Sequence, residues 1–217
     1  MIEGLVGKAV DKALGKLHIG EDAPSFAGKA YHKGKIVDLK NSDFKGKYYV
    51  LFFYPLDFTF VCPTEILAFD ERTEDFEKAN CKLIGCSVDS AFSHMKWCQT
   101  PLAEGGLREL QFPLLSDINK ELAKSYNALI EYGENTGVTW RATFIVDGKG
   151  KLRHKSYNDL CVGRNVDEVL RLVKAFQYAD ENGEVCPAKW ARKGDPTMKP
   201  AHDAKETSEY FRNNLGK

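Results

Sequence analysis

The chain changes from a buried strand to a helix at Cys62, and this transition constrains the fold more than any other feature. The apolar run from Lys47 to Tyr54 predicts a buried strand. Pro63 is the residue type that helices accept at their first position, which puts Cys62 at the predicted N-cap. Backbone N–H groups and the positive end of the helix dipole favour a thiolate there. Glu65 occupies the place of a capping-box acid.

The predicted strands and helices alternate along the chain, which indicates an α/β fold with a mixed central sheet flanked by helices. The turn signal at Asp147–Gly150 predicts a hairpin between strands over 143–146 and 151–156. The other expected elements, in chain order, are short strands within 23–39, a helix over 63–79, a strand over 82–88, and helices over 90–99, from 116 or 117 to 127, and over 165–178.

We expect three parts in the 217 residues: an N-terminal amphipathic helix (1–18), a core domain (19–180) and a C-terminal arm (181–217). The first part places apolar residues at helical spacing opposite Lys8, Lys12 and Lys16. It is either an organelle-targeting segment or a helix that packs on this domain or on a neighbouring subunit. The arm has several prolines and lysines and little apolar periodicity, which indicates an extended segment.

The composition excludes several classes of partner. The 31 basic and 31 acidic residues cancel without long runs of either sign, which argues against nucleic acid. No apolar run approaches the length of a membrane span, and no signal-peptide pattern is present. Six irregularly spaced cysteines in a chain of this size indicate a reducing compartment. We therefore expect a cytoplasmic protein.

The position of Cys62 indicates a reactive thiol, and its neighbours limit how an oxidised form is resolved. Thr59 lies three residues earlier, so no local C-x-x-C pair exists. The oxidised thiol must then react with a distant cysteine or an outside thiol. Cys186, at the start of the arm, is the best candidate. The cysteines expected to be simple core residues are Cys81, Cys86 and Cys161.

Two other chemistries deserve comparison. Cys81, Cys86, His94 and Cys98 lie close together in sequence and offer zinc-ligating side chains, although their spacing is poor for a structural zinc site. A Cys-His hydrolase would need one of the five histidines as a base, and none has a context that singles it out. No metal site is therefore predicted.

Residues 53–65, which read Phe-Tyr-Pro-Leu-Asp-Phe-Thr-Phe-Val-Cys-Pro-Thr-Glu, closely resemble the typical two-cysteine peroxiredoxins, the family that includes the alkyl hydroperoxide reductase C subunit. Supporting matches lie at 140–147, 162–168 and 183–188, and the resemblance covers about residues 19–211. It implies a thioredoxin-like fold and the reduction of hydrogen peroxide and organic hydroperoxides.

The resemblance also implies roles for individual residues. Cys62 is the peroxidatic cysteine, and the Thr59 hydroxyl orients the peroxide. Arg141 stabilises the thiolate and the leaving oxygen. Pro55 shields the nucleophile from water, and Glu65 holds the arginine in place. Two further residues are expected to line the surroundings of the site, Tyr54 and Arg164.

The family pattern implies partners as well. Cys186 of a second subunit resolves the sulfenic acid as an intersubunit disulfide, so a homodimer is the minimal catalytic unit. Such dimers often assemble into a ring of five. The reductant is thioredoxin or a flavoprotein, and the reaction needs no metal, haem or flavin cofactor. Ring-forming relatives also act as holdase chaperones, which is the alternative function.

Two segments bear on over-oxidation of the peroxidatic cysteine. Many eukaryotic members carry a Gly-Gly-Leu-Gly loop and a terminal Tyr-Phe pair, and this chain has Tyr210 and Phe211. The loop here ends in arginine rather than glycine. We expect this arginine at a position that favours positive φ, which would alter the loop and give intermediate sensitivity to over-oxidation. The four residues of the loop are Gly105, Gly106, Leu107 and Arg108.

Overall fold

A computed structural model describes residues 17–199 and 204–215. The chain divides into two compact units, one ending at Val166 and the other beginning at Asp167. The amphipathic helix predicted for residues 1–18 lies outside the described residues except for its last two positions. Within the described ranges, no helix is long and apolar enough to cross a membrane.

The first unit is built on a seven-stranded mixed sheet. Its strands are β1 (Ala27–His32), β2 (Lys35–Lys40), β3 (Tyr48–Phe53), β4 (Cys81–Ser87), β5 (Leu114–Ser116), β6 (Arg141–Val146) and β7 (Leu152–Asn158). They lie in the order β2-β1-β5-β4-β3-β6-β7. The pairs β3–β4 and β4–β5 are parallel, and the remaining pairs are antiparallel. The sheet and its helices confirm the predicted thioredoxin-like α/β fold.

The helices differ from the sequence-based predictions in their bounds. They are α1 (Cys62–Glu71), α2 (Thr73–Lys78), α3 (Ala91–Gln99), α4 (Glu121–Ser125), α5 (Val166–Asn182) and α6 (Ala204–Asn214). The single helix predicted over 63–79 is wrong, because Arg72 leaves helical geometry at φ −101° and ψ 3°. Its backbone N–H donates to the Phe69 carbonyl, which closes α1 with a tight final turn.

The predicted helix from 116 or 117 to 127 is also wrong, because residues 114–116 form the short strand β5. A strand of three residues is too short to show a periodic pattern in sequence. Asp117 still has a capping role, since its carboxylate accepts the backbone N–H groups of Leu122 and Ala123 at 3.0 and 2.7 Å. The helix itself begins only at Glu121.

The side chains of β3 alternate between two apolar layers. Leu51 and Phe53 belong to a cluster of buried residues that includes Phe144. Phe52 stacks on Phe69 with ring centroids 4.2 Å apart and an interplanar angle of 12°. Since Phe69 lies two turns after Cys62 in α1, this stack fixes the helix that carries the cysteine against the strand that precedes it.

The second unit contains α5, the arm and α6. Val185 and Met198 exchange backbone hydrogen bonds of 2.8 and 3.3 Å, so the start of the arm folds back on itself. The ring of Trp190 lies 5.5 Å from that of Tyr178 in α5. The Trp190 carbonyl accepts a 2.7 Å hydrogen bond from Arg171. These contacts hold the arm against its own helix.

Candidate active site

Cys62 is the first residue of α1, at the end of a loop (54–61) that leaves β3. Its side chain is fully buried. The predicted N-cap position is wrong by one residue, because the N-cap is Val61, whose carbonyl accepts the backbone N–H groups of Thr64 and Glu65. Pro63 lies in the first turn, where its missing N–H is not needed. The cysteine therefore still occupies the positive end of the helix.

Arg141, the first residue of β6, connects the cysteine to an acid. Its Nη1 lies 3.3 Å from Cys62 Sγ and donates to Glu65 Oε2 at 2.7 Å. Its Nε donates to the Leu160 carbonyl at 2.8 Å, which fixes the plane of the guanidinium. Burial lowers the pKa of Arg141, but the hydrogen bond to Cys62 and the charge of Glu65 outweigh this effect, so the pKa is raised. Arg141 thus presents a permanent positive charge to the sulfur.

Glu65 does not form the predicted capping box, because its carboxylate is used by two arginines. Oε1 accepts the backbone N–H and Nε of Arg164 at 2.9 and 2.8 Å, and Oε2 accepts Nη2 of the same residue at 2.9 Å. The side chains of Glu65, Arg141 and Arg164 are each at most 4% exposed. Both oxygens of this buried carboxylate are therefore paired with guanidinium groups, as burial of such a group requires.

Arg164 has more contacts than its sequence position suggested. Besides Glu65, its Nη1 donates to the carbonyls of Phe53 and Ala142 at 2.7 and 3.0 Å. Its guanidinium carbon lies 5.1 Å from the centre of the Phe52 ring. Burial lowers its pKa, and Glu65 acts in the opposite direction. Through these bonds to Phe53, Ala142 and Glu65, Arg164 links β3, β6 and α1.

The 54–61 loop contains the remaining predicted active-site residues. Pro55 is buried. The half-buried Thr59 donates its hydroxyl to the Leu56 carbonyl at 3.0 Å. Tyr54 is fully buried, and its hydroxyl donates to Asp57 at 2.9 Å. The structure therefore joins Cys62 directly to the arginine network. The Thr59 hydroxyl bonds within its own loop, whereas the Tyr54 hydroxyl contacts both Asp57 and, at 3.4 Å, Nδ1 of His94 in α3.

Sequence reasoning missed a polar cluster around Asp57. The carboxylate lies 2.8 Å from Nδ1 of His94 and accepts the Ser93 hydroxyl at 2.7 Å. His94 Nε2 lies 3.3 Å from the Leu115 carbonyl, so both ring nitrogens have partners. The spacing of 37 residues between acid and histidine gives no local signal. The one available signal was the presence of Asp57 inside the loop motif.

The other cysteines fall into two groups. Cys81, Cys86 and Cys98 are buried, and burial raises the pKa of each thiol. The prediction that Cys161 is a core residue is wrong, because this thiol is exposed next to Leu160. Among the described residues, no group of three or more metal-ligating side chains is arranged to hold a metal ion. The zinc hypothesis gains no support from this geometry.

Cys186 is half-buried in the second unit. Its Sγ lies 3.6 Å from the Ala175 carbonyl of α5. Burial raises the pKa of this thiol, and nearby Arg171 opposes the shift. The cysteine directly follows the backbone pair of Val185 and Met198. It is therefore a thiol held in place by local contacts rather than a residue of a free tail.

The segment 105–108 connects to the active site through two elements. Gly105 has φ 79°, and a Cβ on Gly106 would lie 1.9 Å from the Thr100 carbonyl oxygen, so both positions require glycine. The expectation of a positive φ at Arg108 is wrong. Instead, its Nε donates to Asp70 of α1 at 3.1 Å. Leu107, the remaining member, is buried and bonds through its N–H to the carbonyl of Trp97 in α3.

The terminal pair Tyr210 and Phe211 lies in α6. Their ring centroids are 6.1 Å apart at an interplanar angle of 71°. Phe211 is exposed.

Comparison with known proteins relates this arrangement to one family. Residues 19–155 match the family model of the AhpC/TSA family, and residues 175–213 match that of the C-terminal domain of 1-Cys peroxiredoxin. Peroxiredoxin-2 of Rattus norvegicus is 54% identical over 199 residues, which cover 92% of this chain and 98% of that protein.

Solved structures show the same relationship. The reduced 2-Cys peroxiredoxin of Plasmodium vivax has a TM-score of 0.84 and 41% identity, and the match covers 90% of this chain and 99% of the other. The mitochondrial 2-Cys peroxiredoxin of Plasmodium falciparum has a TM-score of 0.73 and 44% identity, with 78% and 100% covered. The similarity spans both the core and most of the arm.

Proposed function

Because the chain belongs to the AhpC/TSA family of peroxiredoxins and is a thiol-dependent peroxidase, we propose that Cys62 is its peroxidatic cysteine. The observation that carries this assignment is the 3.3 Å contact between Arg141 Nη1 and Cys62 Sγ at the start of α1. A cation and a helix N-terminus both stabilise the thiolate, which is the reactive form of the thiol.

The proposed reaction begins with attack of the Cys62 thiolate on one oxygen of a hydroperoxide. An S–O bond forms and the O–O bond breaks. The leaving oxygen keeps the bonding electrons and takes up a proton, which gives water or an alcohol. Cys62 is oxidised to a sulfenic acid. The hydroperoxide is hydrogen peroxide or an organic hydroperoxide.

Arg141 stabilises the charge that develops on the leaving oxygen, because its guanidinium already lies beside the sulfur. Glu65 and Arg164 act as positioning residues, since they hold that guanidinium without touching the reacting atoms. Thr59 orients the peroxide through its hydroxyl, and Pro55 excludes water. Tyr54 stabilises the 54–61 loop through its hydrogen bond to Asp57.

We assign resolution to Cys186 of a second subunit. Its thiol condenses with the sulfenic acid, which forms an intersubunit disulfide and releases water. The minimal catalytic unit is then a homodimer, and five dimers form a ring. Two large apolar side chains favour association, because Phe60 is 94% and Phe92 69% exposed. A thioredoxin or a flavoprotein returns the disulfide to two thiols.

Over-oxidation competes with this resolution, and the loop from Gly105 to Arg108 together with Tyr210 and Phe211 sets the balance between them. We propose intermediate sensitivity to over-oxidation, with a side-chain contact of the loop as its physical basis. Arg108 connects the loop to α1 through Asp70, whose second oxygen accepts the Gln111 backbone N–H at 2.7 Å. This link opposes any movement of α1 that would bring Cys62 out of its buried position.

We place the reaction in the cytoplasm, because six irregularly spaced cysteines in a chain of this size indicate a reducing compartment. The division into an N-terminal helix (1–18), a peroxidase domain (19–180) and an arm that carries the resolving cysteine (181–217) remains our working organisation. The holdase and zinc alternatives are not favoured, since the relatives compared above are peroxiredoxins.

Non-reducing electrophoresis after one equivalent of hydrogen peroxide tests nucleophile, resolver and dimer together. Wild-type chains should run as disulfide-linked dimers, whereas Cys62→Ser and Cys186→Ser should remain monomers. Cys161→Ser is the matched control, because it removes an exposed thiol without a role in the proposed cycle. Peroxide turnover that survives in Cys62→Ser would disprove the assignment.

A further inference from the structure

Asp57 belongs to the 54–61 loop, and its carboxylate is the centre of a buried polar cluster. Oδ1 accepts the Tyr54 hydroxyl at 2.9 Å, and Oδ2 accepts the Ser93 hydroxyl at 2.7 Å and lies 2.8 Å from His94 Nδ1. The side chains of Asp57 and His94 are 1% and 0% exposed. Three polar groups thus contact one buried acid: Tyr54, which follows β3, and Ser93 and His94, which lie in α3.

The backbone of the same residue is held as well. The Asp57 N–H donates to Asp89 Oδ2 at 2.9 Å, and the Ser87 hydroxyl donates to that same oxygen at 2.7 Å. The next residue, Phe58, has φ +55°, a conformation that is uncommon for a residue with a bulky side chain. Its ring lies 5.7 Å from that of Trp97 in α3. The turn at 57–58 is therefore fixed from both sides.

We propose that Asp57 is a positioning residue for the peroxidase reaction at Cys62. The turn that it fixes lies between Leu56 and Thr59, and the hydrogen bond from the Thr59 hydroxyl to the Leu56 carbonyl spans it. The geometry of the turn therefore determines the position of the Thr59 hydroxyl in the active site. This role rests on the proposed function, since it requires peroxide chemistry at Cys62.

Asp57→Asn tests the role, because the amide preserves the shape of the side chain but replaces an acceptor oxygen with a donor. We expect the rate constant of reduced Cys62 with hydrogen peroxide, followed by stopped-flow fluorescence, to fall roughly tenfold as the loop shifts. The rate constant for alkylation of Cys62 by iodoacetamide needs no oriented peroxide and should change less than about threefold. The ratio of these two constants is the readout, since a loss of stability alone would not alter it.

Asp117→Asn is the matched control, because Asp117 is an equally buried acid that binds backbone N–H groups of α4 instead. It should lose stability and keep the wild-type ratio. Ser93→Ala removes one donor to Asp57 and should lower the ratio about threefold. If Asp57→Asn does not fold, this variant tests the positioning role in its place.

A fall in the ratio of less than about threefold in Asp57→Asn, or an equal fall in the control, would overturn the positioning role. For Ser93→Ala alone, an unchanged ratio would do so. Failure of the wild type to react with peroxide would instead overturn the proposed function, so the two failures are distinguishable.

Discussion

Replacement of Glu65 by glutamine should destabilise the folded chain by about 3–5 kcal/mol, because it leaves two buried guanidinium groups without their shared counter-charge. Arg141 and Arg164 both bond to this carboxylate, and all three side chains are at most 4% exposed. Water cannot replace the lost charge at such a site. The substitution keeps the size of the side chain, so a cavity contributes little to the loss.

The magnitude follows from the contacts of the carboxylate. It accepts four hydrogen bonds of 2.7, 2.8, 2.9 and 2.9 Å, all from Arg141 or from Arg164. Hydrogen bonds to charged groups contribute about 1.5–3 kcal/mol each, but those that share a carboxylate are not additive. The glutamine NH₂ would in addition face N–H donors. Removal of one partner from a buried ion pair typically costs about 3–5 kcal/mol, which we adopt.

Urea unfolding at one fixed chain concentration measures the effect, since subunit association then contributes equally to every variant. Glu168→Gln is the matched control. Glu168 also forms two bonds to one arginine, at 2.6 and 2.8 Å to Arg171, but the side chains are 48% and 30% exposed. Its loss should be about 0–1 kcal/mol. If Glu65→Gln cost no more than this control, the argument from burial would be refuted.

Three further predictions follow from other parts of the chain. A thiol-alkylating reagent should label Cys161 before Cys81, Cys86 and Cys98, because Cys161 is exposed and burial raises the pKa of the other three thiols. Peptide mass spectrometry that found one of these buried thiols labelled first would contradict this. Arg108→Ala, which removes the bond to Asp70, should lower the fraction of Cys62 found as sulfinic acid by mass spectrometry across a peroxide series, whereas an equal or higher fraction would show that the bond does not restrain α1. Tyr49→Phe should reduce the loss of stability in alkali. Burial raises the pKa of Tyr49 to about 12, so the folded state retains a proton that the unfolded state releases near pH 10, and stability present below pH 10 is lost as the pH rises toward 12. Urea midpoints that fall equally in both proteins between pH 9 and pH 11 would exclude this contribution.

The sequence predicted the position of Cys62 well because the relevant signals are local. An apolar run, a loop and a proline in the first helical turn define a strand-to-helix transition within 20 residues, and the error was one residue. The local interpretation of Glu65 as a capping-box acid was wrong for the same reason. A capping box is a local pattern, whereas the carboxylate bonds to arginines 76 and 99 residues away. A local sequence pattern does not show that a carboxylate will bond to a distant arginine rather than to a nearby backbone N–H group.

The Asp57 cluster and the loop at Arg108 show a second limit. Asp57 and His94 approach only because β3 and α3 are brought together by the sheet, and no periodicity links them. For Arg108, comparison with glycine suggested a backbone conformation, but the side chain instead bonds to Asp70. A glycine in relatives does not by itself show that the position needs positive φ, which the backbone here lacks.

The distance in sequence between Cys62 and its arginines also has a consequence for biosynthesis. Arg141 lies 79 residues after Cys62, and Arg164 lies 99 residues after Glu65. At about 5–20 residues per second, a ribosome adds Arg141 roughly 4–16 s after the cysteine. During that interval the nascent chain carries the thiol without its cation. On the role proposed above for Cys62, we therefore expect reactivity toward oxidants to develop with the native fold rather than with the translated motif.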